Sequence, residues 1–225
     1  STGPKKPVLS NTKTSATVGT PGRMGMDRRW EVAKSVQVLF ENLPEVVSVF
    51  LKGSLQGGYY DELSDIDIVI DVSGSNDADF VKAIDSRMES AFDIYFFDWA
   101  PSLLPAKFVK TFYLRGLSIF CNLDIEVTAT PHYGTLLRSD IVREPTAAHL
   151  KLWALNTKYY LRGKLGVDGE IAKLYRRVLA EPAPTTYSVD RLLLEIINYL
   201  KDKSHERYQD FIEECRRTYV QYFTS

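Results

Sequence analysis

The chain has 225 residues, of which 44% are hydrophobic and 12% aromatic, enough to form one full domain or two small ones that share an interface. A formal net charge of -1 excludes the strongly basic balance of a general nucleic-acid-binding protein, but not a local basic groove. Cys121 and Cys215 fit no metal-binding spacing and are interpreted as reduced thiols, with a single disulfide as the alternative. No apolar run has the length of a membrane span and the amino terminus lacks a signal-peptide core, so we expect a cytoplasmic protein that does not bind membranes.

The first part of the chain alternates helical and strand patterns after a polar tail. Residues 1–25 contain few large apolar side chains, and we expect them to be disordered and to derive in part from an expression tag. The elements predicted next, in chain order, are a helix at 27–43, strands at 46–51 and 66–72, a helix near 80–88, a strand at 91–97, a helix at 105–115, and strands at 117–120 and 123–127. This order predicts a domain of residues 26–130 with a mixed sheet covered by helices.

The second part of the chain has a purely helical pattern. Apolar residues recur three and four positions apart, and Pro, Gly and Ser separate the segments. The predicted helices span 147–162, 168–179, 188–200 and 204–222. We therefore predict an α+β protein in which the sheet domain is followed by a helical bundle domain of residues 131–225.

Four residues around two adjacent strands suggest phosphate chemistry. Gly53 and Ser54 directly follow the first strand, and Asp65 and Asp67 begin the second. Alternate side chains of a strand share a face, so the two carboxylates point the same way and repel each other unless a cation lies between them. Mg²⁺ favours one or two carboxylates together with phosphate oxygens and waters. Gly53 leaves room for a phosphate to approach the backbone, and Ser54 offers it a hydroxyl and an N–H.

This segment resembles the nucleotidyltransferase superfamily of DNA polymerase beta type. The resemblance is carried by VFLKGS at 49–54 and SDIDI at 64–68, which match the hydrophobic strand, the Gly-Ser pair, the gap of about ten residues and the Asp-x-Asp strand of that family. It implies that Asp65 and Asp67 bind two Mg²⁺ ions. It also implies that Gly53 and Ser54 hold the terminal phosphates of a nucleoside triphosphate, for which we favour ATP.

The resemblance implies a third carboxylate on a neighbouring strand, which helps to bind the metal and activates the acceptor hydroxyl. We favour Asp93, because its strand–helix–strand context is similar to that of small bacterial members of the family. The alternatives are Asp124 and Glu126 in LDIEV. With these, the chain is more similar to RNA-terminal transferases, in which a helical Lys-x-Trp-Ala follows, as at 151–154 here.

The leading interpretation is a Mg²⁺-dependent nucleotidyltransferase that moves a nucleoside monophosphate, with AMP from ATP favoured, to an acceptor hydroxyl and releases pyrophosphate. By analogy with antibiotic-modifying members of the superfamily, the expected acceptor is a small molecule such as an aminoglycoside or lincosamide, or a protein side chain. The alternatives are a template-independent RNA nucleotide-adding enzyme and a non-catalytic or antitoxin-type module with this fold. An ordinary turn followed by a strand with exposed acids is the plainest alternative.

Overall fold

The computed structural model of this chain describes residues 27–132 and 134–224. The predicted disorder of residues 1–25 lies outside these ranges. Within them, no helix combines the length and the apolar character needed to cross a membrane.

The described residues form a five-stranded sheet with helices around it. The helices are α1 (Arg28–Glu41), α2 (Gly53–Gly57), α3 (Asp77–Ala91), α4 (Pro145–Leu161), α5 (Val167–Leu179), α6 (Val189–Lys203) and α7 (Gln209–Phe223). The strands are β1 (Ser48–Lys52), β2 (Ile66–Asp71), β3 (Ile94–Trp99), β4 (Phe108–Leu114) and β5 (Leu123–Thr128).

The sheet has the strand order β1-β2-β5-β4-β3. Strands β2 and β5 are parallel, and the other neighbouring pairs are antiparallel. The mixed sheet followed by a helical region confirms the predicted α+β class.

Three isoleucines at alternate positions of β2 mark the face of the sheet that packs against the helices α1 and α3. Ile66, Ile68 and Ile70 are fully buried and belong to a hydrophobic core that includes residues of α1 and α3. Since successive side chains of a strand point to opposite faces, Asp67 lies on the other face. The carboxylates of the motif are therefore turned away from this core.

A second hydrophobic cluster joins the sheet to the helical region. Phe96 of β3 and Tyr113 of β4 are buried in it together with Trp153 of α4 and residues of α5, α6 and α7. The two parts of the chain therefore share a core, and the boundary between residues 130 and 131 stays a prediction.

Two predicted elements between residues 105 and 120 are wrong. Residues 108–114 form strand β4 and not a helix, and residues 117–120 form turns and not a strand. Every residue of β4 is buried, so its hydrophobic side chains do not alternate with exposed polar ones. A strand that is covered on both faces cannot be told from a buried helix by periodicity alone.

Candidate active site

A row of polar side chains crosses one face of the sheet from edge to edge. It results from the strand register, which pairs Lys52 with Asp67, Asp67 with Asp124, Asp124 with Thr111, and Thr111 with Asp98. Neighbouring strands lie about 4.8 Å apart, so each of these residues is beside the next. The row places a carboxylate from β2 directly beside one from β5.

Asp65, Asp67 and Asp124 form a cluster of like charges. Burial, followed by the negative charges of Asp124 and Asp65, raises the pKa of Asp67 to about 6. Burial also raises the pKa of Asp65, against the opposing effect of Lys158. Carboxylates that disfavour one another's ionised form are typical of sites that hold a cation.

Gly53 and Ser54 lie at the same end of the sheet as these carboxylates. Gly53 has a φ of +75°, and a Cβ atom at this position would collide with the carboxylate of Asp67. Only glycine is therefore compatible with this close approach. Ser54 lines a cavity of about 370 Å³ together with Asp65, Asp67 and Arg162, which we call the Ser54 cavity.

Asp93 does not join the cluster, and the carboxylate that lies beside Asp67 on a neighbouring strand is that of Asp124, one of the two alternatives. Asp93 immediately precedes β3, the edge strand, which is separated from β2 by β5 and β4. Its side chain is 77% exposed and contacts Arg115 at 3.2 Å. The residue of β3 that belongs to the polar row is Asp98, which lies five residues after Asp93 in the chain. The strand order separates Asp93 from the cluster, which sequence spacing does not reveal.

Glu126, the other alternative, is neutralised by two lysines. Its carboxylate accepts a hydrogen bond from Lys52 and lies 3.5 Å from the ammonium of Lys107. Burial acts to raise the pKa of Glu126, but the contacts with Lys52 and Lys107 outweigh it and lower the pKa. Glu126 is therefore a partner of these lysines.

Asp124 has one oxygen held by the protein and faces a second cavity. The hydroxyl of Thr111 donates a hydrogen bond of 2.6 Å to Oδ1 of Asp124. The adjoining cavity of about 350 Å³, which we call the Asp124 cavity, is lined by both Asp65 and Asp124. The two cavities thus meet at Asp65.

Three basic side chains line the Asp124 cavity, namely Arg143, Lys151 and Arg177. Arg143 and Lys151 are both bound to Asp98, whose side chain is 2% exposed, with nitrogen–oxygen distances of 2.5 Å and 2.6 Å. Arg177 has no ion-pair or hydrogen-bond partner within residues 27–132 and 134–224. The cavity therefore combines two acids at one end with basic groups on its walls.

The helical region also reaches the loop that precedes β2. Lys158 of α4 donates a hydrogen bond to Asp65. Arg162, at the end of α4, donates one of 2.7 Å to Asp61. Nothing in the sequence singled out Lys158, Arg162 or Asp98, because a lysine or arginine in a helix and an acid in a strand carry no signal of a partner far along the chain.

Comparison with known proteins gave no matching family model and no match among curated proteins. Among solved structures, the chain is similar to the polymerase core of TRAMP, an RNA surveillance complex, at 12% identity with a TM-score of 0.39 over 83% of this chain and 61% of that one. It is also similar to a structure of the GLD-2/RNP-8 complex, at 10% identity with a TM-score of 0.33 over 85% of this chain and 58% of that one. This chain thus spans about three fifths of the length of each.

The carboxylate cluster offers the type of ligand atom that a magnesium ion binds. Carboxylate oxygens are the ligands that Mg²⁺ prefers. Burial and the charges of Asp124 and Asp65 together raise the pKa of Asp67, although Lys52 and Lys158 act to lower it. As the side chains are placed, no group of three His, Cys, Asp or Glu residues in the described ranges is arranged to hold a metal ion. Lys158 contacts one oxygen of Asp65, and Thr111 donates a hydrogen bond to one oxygen of Asp124. Each contact occupies one carboxylate oxygen, so a second oxygen on each residue stays available.

Proposed function

We propose that this chain is a metal-dependent nucleotidyltransferase that transfers a nucleoside monophosphate from a nucleoside triphosphate to an acceptor hydroxyl. The observation that carries the proposal is the pairing of Asp67 with Asp124 on parallel strands, next to Asp65 and to Gly53 and Ser54 at the start of α2. Paired carboxylates beside backbone that a phosphate can approach are what a two-metal displacement requires. The family resemblance of the motif supports the same reaction.

The donor triphosphate is assigned to the Ser54 cavity. The hydroxyl of Ser54 can donate a hydrogen bond to a terminal phosphate, and Gly53 leaves the backbone open to it. Arg162 lines the same cavity, where it is paired with Asp61, and its remaining N–H groups can donate to a phosphate. We keep ATP as the favoured donor, from the sequence interpretation alone.

Asp65, Asp67 and Asp124 are the residues that would hold two Mg²⁺ ions. When bound, the ions would supply positive charge to the triphosphate and to the attacking and leaving oxygens. The carboxylates themselves fix where that charge lies, because two of them are on directly paired strand positions.

Asp124 has a second role at the acceptor hydroxyl. Its free oxygen takes the hydroxyl proton while the acceptor oxygen forms a bond to the α-phosphorus. The bond from that phosphorus to the bridging oxygen breaks, and pyrophosphate leaves. Thr111 holds the other oxygen of Asp124 and so keeps the carboxylate oriented during the proton transfer.

The Asp124 cavity is assigned to the acceptor because it contains Asp124 and the Ser54 cavity does not. Its walls carry Arg177, whose charge is unpaired among the described residues, beside Arg143 and Lys151, which share the single carboxylate of Asp98. These groups favour a phosphate-bearing acceptor. The 3′-hydroxyl of an RNA is therefore the favoured acceptor, ahead of the aminoglycoside expected from sequence. The overall charge of -1 does not oppose this choice, because the basic groups are local.

The proposal is tested by incubating the protein with Mg²⁺ and each α-³²P-labelled nucleoside triphosphate. The acceptors are short RNA oligonucleotides, an aminoglycoside, a lincosamide and a protein extract, and both transferred label and pyrophosphate are measured. Label on the RNA is the expected result. Label on the antibiotic would contradict the acceptor assignment, and no label on any acceptor would favour the non-catalytic module.

A further inference from the structure

Lys158 reaches from the helical region into the carboxylate cluster. It lies on α4, 93 residues after Asp65 in the chain, and its ammonium contacts the Asp65 carboxylate. The side chain is only 2% exposed. Burial of an ammonium is unfavourable unless it is paired, so this placement requires a specific set of partners.

All three N–H groups of the Lys158 ammonium have an acceptor. Besides Oδ1 of Asp65, they are the backbone oxygen of Phe120 at 3.1 Å and Oδ1 of Asn122 at 3.2 Å. An ammonium has three donors, so none is left over for a mobile ligand. Phe120 and Asn122 precede β5, the strand that carries Asp124. Lys158 therefore ties Asp65 to the segment that leads into the strand of the third carboxylate.

We propose that Lys158 is a positioning residue, which holds Asp65 by one oxygen so that the other is presented to the metal site. This inference rests on the proposed function, since it assigns a metal-binding role to Asp65. Partners that orient a metal ligand are known to change metal affinity or activity by about 10- to 100-fold when they are removed.

A plain counter-ion role makes the opposite prediction. If Lys158 merely neutralised the carboxylates, its removal would leave a more negative cluster that binds a cation more tightly. The two uncharged acceptors, the oxygens of Phe120 and Asn122, favour a fixed ammonium over one that a metal displaces. Loss of Lys158 should therefore free the Asp65 carboxylate to rotate and weaken metal binding.

The test is Mn²⁺ binding by the full chain without nucleotide, followed by electron paramagnetic resonance, for the wild type, Lys158→Met and Lys110→Met. Lys110 is a matched control because it is also a buried lysine, 1% exposed, and contacts Asp85 at 2.6 Å on α3, away from the cluster. We expect Lys158→Met to weaken Mn²⁺ binding about tenfold or more, and Lys110→Met to leave it unchanged. Lys158→Gln, which keeps a donor for the oxygen of Phe120, replaces the Met variant if that variant does not fold.

Unchanged or tighter Mn²⁺ binding by the Lys158 variant would overturn the inference, as would the absence of Mn²⁺ binding by the wild type. Failure of the proposed function gives a different result: the wild type binds Mn²⁺, the Lys158 variant binds it more weakly, and neither transfers label. Where the wild type is active, the variant should lose kcat and keep its KM for the nucleoside triphosphate, because Lys158 has no donor left for the phosphates.

Discussion

Asp67 and Asp124 face each other across the parallel register of β2 and β5. The arrangement crowds negative charge, and the pKa of Asp67 is raised to about 6 by burial and by the charges of Asp124 and Asp65. Clustered carboxylates lower the stability of a fold. Such a cost is expected where their negative charge serves to bind a ligand.

Asp67→Asn should therefore stabilise the protein in the presence of EDTA. Removing one charge of the cluster relieves repulsion, and we expect about 1 kcal/mol because partial exposure screens much of it. For a chain of this size the melting temperature rises by roughly 2–4 °C. Thermal unfolding at pH 8 checks the prediction, with the exposed Asp93→Asn as control. A lower melting temperature for the Asp67 variant would show that the carboxylate is stabilising.

Asp98→Asn should destabilise the fold strongly. The carboxylate of Asp98 is buried between Arg143 and Lys151, and its loss leaves both cations without a carboxylate partner. Breaking such a buried pair is expected to lower the free energy of unfolding by about 3–5 kcal/mol. Urea denaturation measures the change. Asp93→Asn, which removes only an exposed contact to Arg115, should change it by less than about 0.5 kcal/mol. Equal changes in the free energy of unfolding for the two variants would show that the buried ion pairs of Asp98 do not stabilise the fold.

How far the sequence could predict the site depends on how local each feature is. Gly53, Ser54, Asp65 and Asp67 lie within 15 residues of one another, and the strand–turn–strand pattern around them brings them to one end of the sheet. The third carboxylate is different, because it depends on which strand pairs with β2. Chain order suggested the strand predicted at 91–97, which contains Asp93, whereas β5 is inserted beside β2 and leaves β3 at the edge.

The strand β4 and the contacts of the helical region could not be predicted for related reasons. β4 is covered on both faces, by α3 on one side and by the helical region on the other, so its pattern does not alternate. The bond from Lys158 to Asp65 joins residues 93 positions apart, and no local pattern encodes it.

Arg177→Gln should weaken the binding of the acceptor without affecting the binding of the nucleoside triphosphate. Arg177 lines the Asp124 cavity and has no partner in the described part of the chain, so its guanidinium is free to bind an acceptor phosphate. We expect the KM for an RNA oligonucleotide to rise about three- to tenfold, and the slope of log KM against log salt to fall by about 0.7, as for one phosphate contact on a single strand.

Arg176, the residue before Arg177, provides the control for this experiment. Arg176 is exposed on the same helix and does not line the cavity, so Arg176→Gln removes the same charge from an adjacent position. An equal rise in KM for both variants would show that only the overall charge matters. A rise in the KM for the nucleoside triphosphate with Arg177→Gln would place the donor in the Asp124 cavity.

His149 should make the fold sensitive to mild acid. Burial, together with the charges of Arg177 and Arg143, lowers the pKa of His149 below its ordinary value of 6.5. Below this value the unfolded chain binds a proton that the folded chain does not, so stability is lost as the pH falls through 6.5 towards the folded pKa. His149→Gln should therefore lose less stability than the wild type between pH 7.5 and pH 5.5. Urea unfolding at both pH values measures this, and parallel losses in the two proteins would rule out His149 as a source.

The most direct measurement compares Asp124→Asn with Asp93→Asn for Mg²⁺-dependent pyrophosphate release with the acceptor that the wild type uses. Asp124 is paired with Asp67 in the sheet, whereas Asp93 is exposed at the far edge. We expect Asp124→Asn to reduce turnover by at least about 100-fold, because both a metal ligand and the proton acceptor are lost, and Asp93→Asn to stay within about twofold of the wild type. Loss of turnover with Asp93→Asn and its retention with Asp124→Asn would contradict the proposed active site.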